Sequence, residues 1–303
     1  MKAALKSNPF LLAILCAFLG GLTPVAAKIA LEAIPPFTLV FLRFLSATML
    51  LLPFLLPRSE LSWAKLRQLW WVGLLGALNP VLLFIALPFT QASVSPLIYA
   101  SVPALTAVYL FLTAGSRLTT RQVTGIIVGF AGVAIVILFP FLEQGVALSA
   151  FTGNLLIFGA AIAFMLYGVF SKRYQSHHKI SPLALTFYFC LITMLAMVPL
   201  MLVELGWTGS GGVQETAWQS MLGVISYRHL LAALATGILG SGMFYLVYQW
   251  ALAAGSEVAA NLFTYLQPVA TILMAVVLLG ESVGWSFVIG GVLAVIGAHI
   301  ARK

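Results

Sequence analysis

The chain has 303 residues, 62% of them hydrophobic and 7% charged, with a net charge of +8 and a mean hydropathy of +1.10. Soluble domains carry about 25% charged residues, so this composition excludes an ordinary soluble fold. The apolar residues fall in runs of about 17–25, the length a helix needs to cross a bilayer. They do not alternate as the strands of a membrane barrel would, which leaves helices to satisfy the backbone there.

Ten spans are predicted, at residues 10–28, 34–56, 69–87, 93–113, 121–139, 151–171, 181–204, 230–252, 256–279 and 284–300. The first follows Lys2 and Lys6 as a signal peptide would, but it runs on to Ala27 without a clear cleavage signal and reads as a membrane helix. The second carries Arg43, the one ionisable side chain well inside a span. Such a group needs partners or water; helix-end carbonyls, a hydrated vestibule or a substrate carboxylate would each serve. The third span contributes Asn79, the fourth Tyr99 and Pro103, and the sixth Tyr167. The eighth adds Tyr245, Tyr248 and Gln249, and the ninth adds Asn261, Thr264, Gln267 and Pro268. Amides and phenols can hold an amino or carboxylate group while rings accept an apolar side chain. They can equally bond one helix to the next. Pro103 and Pro268 remove backbone donors and predict kinks in helices four and nine, with a structural or gating role. Cys16 and Cys190 fall inside spans and read as small packing residues, not a disulfide.

The positive charge is an orientation signal. Twelve of the fifteen Lys and Arg residues lie in alternate connections that share a side with both termini, against Lys28 and Arg228 on the other. By the positive-inside rule both termini are cytoplasmic, and no nucleic-acid partner is implied. The long connection 205–229 then lies outside, with Trp207, Trp218 and Tyr227 suited to the membrane interface.

An internal repeat follows. Adding 165 to a position carries Pro103 onto Pro268, Thr106 onto Thr271, Gly115 onto Gly280, Gly125 onto Gly290 and Gly132 onto Gly297. Offsets of 146 and 144 pair Pro36 with Pro182, Pro53 with Pro199 and Lys28 with Lys172. Five spans per copy is an odd number, so the second copy enters the membrane from the opposite side. The expected fold is an all-α polytopic membrane protein of ten transmembrane helices in two inverted five-helix repeats, 1–145 and 146–303. Glu281 aligns with Ser116 after a helix-ending glycine. It reads as a turn residue at the membrane surface, solvated or capping the next helix.

Three stretches resemble the drug/metabolite transporter superfamily, in its bacterial EamA-type branch: LGGLTPVAAK at 19–28, PPFTLVFLRFLSATMLLLP at 35–53 and YLQPVATILMAVVLLGESVGWSFVIGGVLAVIGA at 265–298. Arg43 matches a recurring second-helix arginine of that branch, and the GE turn and glycine-bearing last helix match its end. GSRLT at 115–119 departs from the family's usual GE turn in the first repeat. The resemblance implies a multi-pass protein of the bacterial inner membrane, with a central cavity opened alternately to each side. It implies export of amino acids and related small metabolites, with a narrower likeness to YddG-like exporters.

The chain contains no Asp, and none of its seven Glu is centred in a span, Glu257 coming closest. A deep carboxylate is a common coupling group, so a facilitated carrier or weakly coupled exporter is expected, with proton coupling through Glu257, a histidine or the substrate as the alternative. The expected partners are a small-molecule substrate and membrane lipid, with a monomeric protein and neither cofactor nor metal. Sugar phosphates, nucleotide sugars and drugs are the alternative cargoes. A lipid-modifying membrane enzyme is the alternative of a different class, without an HExxH or GxSxG motif to support it.

Overall fold

Apolar runs of this length, interrupted by proline, glycine and charged turns, produce a bundle of packed helices. The computed structural model describes the chain outside residues 1–8, 59, 116–118, 145–147, 207–220, 256–259, 261–262, 282–283 and 302–303. Every regular element among the described residues is helical: α1 (Pro9–Ala30), α2 (Pro36–Leu55), α3 (Trp63–Ala86), α4 (Val94–Tyr99), α5 (Val102–Ala114) and α6 (Thr120–Gln144). They continue as α7 (Leu148–His178), α8 (Pro182–Glu204), α9 (Tyr227–Gly237), a π-helical turn at Ile238–Met243, α10 (Phe244–Ala254), α11 (Phe263–Leu279) and α12 (Trp285–Ala301). Short 3-10 turns follow α2 and α3.

Among the described residues, seven helical segments are long and apolar enough to cross a membrane. The expected fifth, ninth and tenth spans correspond to shorter apolar segments, Thr120–Val136, Leu266–Leu279 and Val288–Gly297. The outer surface carries large exposed apolar side chains, among them Phe18, Leu112, Val277 and Trp285. Water would penalise such a surface, whereas acyl chains solvate it.

Helix starts follow local chemistry. Pro36 and Pro182, equivalent in the sequence repeat, stand at the first turns of α2 and α8, where the missing N–H costs nothing. The Ser181 hydroxyl caps α8 by accepting from the Ala184 N–H at 3.1 Å. Gly115 and Gly280, also equivalent, follow α5 and α11 with φ of 63° and 64°. That left-handed geometry ends a helix and favours glycine.

The main packing pairs are α6 with α12, α3 with α7, α2 with α8 and α1 with α11; α3 also meets α8, and α1 meets α9 and α10. The α6–α12 seam is the tightest. A Cβ built on Gly290 would lie 2.8 Å from the Gly132 carbonyl oxygen and 3.0 Å from the Val136 nitrogen. Small residues here bring backbone against backbone, the arrangement that favours helix association in lipid.

Two departures from straight helices shape the interior. The expected kink at Pro103 is instead a break. The fourth span divides between α4 and α5 at Ala100 and Ser101, and Pro103 sits in the first turn of α5. Pro268, its counterpart in the repeat, lies inside α11. The other departure is the π turn within the eighth span, at ILGSGM. A π turn shifts the carbonyl ladder and leaves acceptors for other groups.

Candidate functional site

A narrow cavity, with an empty volume of about 440 Å³ that includes its mouth, opens where these departures meet. Gly20, Thr23 and Pro24 come from α1, Arg43 from α2, Asn79 and Leu83 from α3, and Ser95 and Tyr99 from α4. Phe164 of α7, Gly240 of the π turn, Phe244 and Tyr245 of α10, and Phe263 and Gln267 of α11 complete the wall. The cavity is therefore aromatic and aliphatic with a few polar groups, the composition of small-molecule sites.

Asn79 organises one wall. Its Nδ2 donates to the Tyr99 hydroxyl and, at 2.9 Å, to the Ala160 carbonyl, while its Oδ1 accepts from the Tyr245 hydroxyl at 3.0 Å. One amide thus ties α3 to α4, α7 and α10. Tyr245 also packs against Phe189, with ring centroids 4.5 Å apart, and Phe189 against Tyr167 at 4.6 Å. Asn79→Leu keeps the branched outline of the side chain and removes every one of these bonds. Each buried group left unpaired costs about 1–3 kcal/mol, so a clear fall in the melting temperature of the purified protein is the expected result.

Arg43 is the only charged side chain among the described lining residues, and it is 3% exposed. Its Nε donates to the Ser241 hydroxyl, and its Nη2 donates to the Gly240 carbonyl at 2.8 Å. The guanidinium carbon also lies 5.0 Å from the centre of the Phe84 ring and 5.3 Å from that of Phe44. The π turn supplies both polar partners, so the helix distortion and the buried cation form one device. The glycines and serine of ILGSGM carry that signal in the sequence, as do Phe164, Phe244 and Phe263 for the apolar wall, residues not among those expected at the site.

The other expected site residues divide. Asn79, Tyr99, Tyr245 and Gln267 line the cavity together. Tyr167, Tyr248, Gln249 and Thr264 are buried but are not part of its lining. Gln249 donates to the Tyr167 hydroxyl at 2.8 Å and accepts from Gln175 Nε2 at 2.6 Å, bonds that join α10 to α7. Asn261 and Glu257 lie outside the described residues.

Glu281 requires a correction. It is not a solvated turn residue, because its side chain is only 6% exposed, and its described bonds run to α1 and the start of α4, not to the helix that follows it. Its carboxylate accepts from the Ala92 N–H at 2.7 Å, the Ser93 N–H at 3.1 Å and the Ser93 hydroxyl at 2.5 Å. It also pairs with Lys28 Nζ at 3.0 Å. The acid therefore caps α4, from the other half of the chain, and ties it to the end of α1. Burial alone would raise its carboxyl pKa, but the bonds from Ser93 and Ala92 and the Lys28 charge outweigh that and hold it below the ordinary value. At the same end Glu204 accepts from the Phe37 and Thr38 N–H groups at 3.0 and 2.7 Å, capping α2.

Comparison with known proteins decides the family, because the EamA-like transporter family matches residues 8–138 and again 151–302. The chain belongs to the EamA-like transporter family. Among its relatives, the uncharacterized transporter YcxC of Bacillus subtilis is 25% identical over 96% of this chain and 92% of its own length. YyaM of the same organism, also an uncharacterized transporter, is 28% identical over 76% and 71%. A crystal structure of a protein 22% identical superposes with a TM-score of 0.66 over 98% of this chain and 97% of that one, which shows the shared fold. As an EamA-like protein the chain is a membrane transporter of the drug/metabolite superfamily.

Proposed function

We propose that this transporter exports amino acids, aromatic or other neutral ones, and related small metabolites by facilitative alternating access. The observation that carries the reading is the cavity itself: a cluster of amide, phenol and guanidinium groups enclosed by Phe164, Phe244 and Phe263, between elements of both halves of the chain. None of the described lining residues is a carboxylate or a histidine, which favours uncoupled transport.

The proposal includes ten transmembrane helices in two inverted halves, 1–145 and 146–303, in a monomer of the bacterial inner membrane with both termini cytoplasmic. The packing supports it. Exchanging each span with the one five places on turns the α3–α7 contact into the contact of α1 with α9 and α10, and turns α1–α11 into α7 with α4 and α5, all of which occur. Lys28 Nζ donates to the Thr90 carbonyl at 2.9 Å, and its sequence equivalent Lys172 donates to that of Gly255 at 2.7 Å. Thr90 and Gly255 are themselves 165 residues apart. The break in the fourth span against α11, unbroken from Phe263 to Leu279, supports the reading, since alternating access through inverted repeats requires equivalent segments to differ. Sugar phosphates and nucleotide sugars would find a single guanidinium in the lining, a poor match for two or more negative charges.

Counterflow in proteoliposomes tests the reading. Labelled phenylalanine is expected to exchange against internal unlabelled phenylalanine at a rate that an imposed proton gradient does not change. Strict dependence on that gradient would overturn the facilitative mechanism, and an absence of exchange for every neutral amino acid would overturn the cargo.

A further inference from the structure

Arg43 offers five N–H donors. Nε and Nη2 are held by Ser241 and Gly240, whereas Nη1 is buried and has no partner among the described residues. No described carboxylate lies within ion-pair distance of Arg43 either. A half-bonded buried cation is expensive to keep, yet the rest of the guanidinium is fixed in place by the π turn and two rings.

Gln267 enters the same cavity from α11 with the opposite deficiency. It is buried, and its Oε1 accepts from nothing. Its amide stands close to Gly20 of α1, where an added Cβ would lie 3.3 Å from it. One cavity therefore carries a spare cationic donor on α2, a spare neutral acceptor on α11 and a wall of phenylalanine rings. Both unpaired atoms are covered in this arrangement of the helices, so a ligand reaches them when the helices part.

We infer that Arg43 Nη1 receives the carboxylate, and Gln267 Oε1 the ammonium group, of a zwitterionic amino acid whose apolar side chain lies against Phe164, Phe244 and Phe263. The inference rests on the proposed amino-acid cargo and specifies how it is recognised. A zwitterion adds no net charge to the cavity while setting its carboxylate against the buried cation. A dianion would leave an excess negative charge in a low-dielectric site, and an amine lacking the carboxylate would bring a second positive charge to Arg43. The ammonium group supplies the donor that Gln267 lacks, which a simple monocarboxylate does not.

The test is a competition series in wild-type proteoliposomes exchanging labelled phenylalanine. Unlabelled phenylalanine is expected to compete at least about tenfold better than its methyl ester or phenethylamine, which lack the carboxylate, the scale of one lost charge-assisted bond. It is also expected to outcompete 3-phenylpropionate, which lacks the ammonium group. Arg43→Gln should erase the preference for acid over ester, Arg43→Lys should retain it, and Gln267→Leu should erase only the preference for phenylalanine over 3-phenylpropionate. Equal competition by acid and ester in the wild type overturns the Arg43 assignment without any variant. Equal competition by phenylalanine and 3-phenylpropionate overturns that of Gln267. Exchange of 3-phenylpropionate with no exchange of any amino acid would sink the proposed cargo and the Gln267 role, while preference for that acid over its own methyl ester would keep Arg43 as a carboxylate receptor.

Discussion

Gly132→Leu is expected to abolish the monodisperse folded protein in detergent size-exclusion, while Gly159→Ala leaves its peak unchanged. Both glycines sit inside long helices, so helix propensity alone favours either substitution. Their surroundings decide the outcome. A Cβ at Gly132 would stand 2.8 Å from the Leu293 carbonyl carbon and 2.5 Å from the Gly290 carbonyl oxygen. These are backbone atoms of α12, with no side chain able to rotate aside. Overpacking a core that can adjust costs about 1–3 kcal/mol; here the helices themselves must separate, and the cost exceeds that range. In lipid no hydrophobic effect between helices compensates for lost van der Waals contact. At Gly159 the added Cβ meets only the Leu82 Cδ1, at an ordinary 3.4 Å. A normal elution profile for Gly132→Leu would show that α6 and α12 are not in backbone contact.

The same seam shows what the sequence could reveal. Gly132 and Gly297 were visible as a repeated pair because the offset of 165 needs no knowledge of space. Helix limits were equally legible where chemistry marks them: the span expected at 181–204 is found at Pro182–Glu204, bounded by a capping serine, a proline and an acid. The break after Tyr99 was not, because hydropathy stays high through Ala100 and Ser101 and responds to side chains, not to backbone geometry. The polar residues of the spans illustrate a related limit. Asn79 and Gln249 look alike in one dimension, but rotation about the helix axis brings the first to the cavity and turns the second toward Gln175. Arg43 could be recognised as a buried cation in need of partners, whereas those partners lie 197 and 198 residues away, in a turn whose π geometry no periodicity announces.

Glu281 illustrates the long-range case with the largest consequence. Its ion-pair partner is 253 residues away, and each group taken alone looks like a solvated boundary charge. Glu281→Ala would leave the Ala92 and Ser93 N–H groups without their acceptor and Lys28 with only the Thr90 carbonyl among the contacts described. Breaking a fully buried pair costs about 3–5 kcal/mol. Lys28 is 30% exposed, so solvent screening reduces the expected loss to about 2–3 kcal/mol. The pH dependence has a definite sign. A carboxyl held below its ordinary value in the folded protein stabilises it above the unfolded pKa, and that contribution disappears as pH falls through the folded value. The melting-temperature advantage of the wild type over Glu281→Gln is therefore expected to be level from neutral pH down to the ordinary carboxylate range, and to vanish only in stronger acid. An advantage already lost near pH 6 would show that the carboxylate is not held this way. The functional consequence follows from position: Ser95 and Tyr99, on the helix that Glu281 caps, line the cavity. Loosening the cap frees that wall at the end proposed to face outside. A cysteine placed at Ser95 should accordingly react faster with an externally added, membrane-impermeant maleimide when Glu281 is alanine than when it is intact. Equal rates in the two backgrounds would reduce Glu281 to a stabilising contact with no part in closing the cavity.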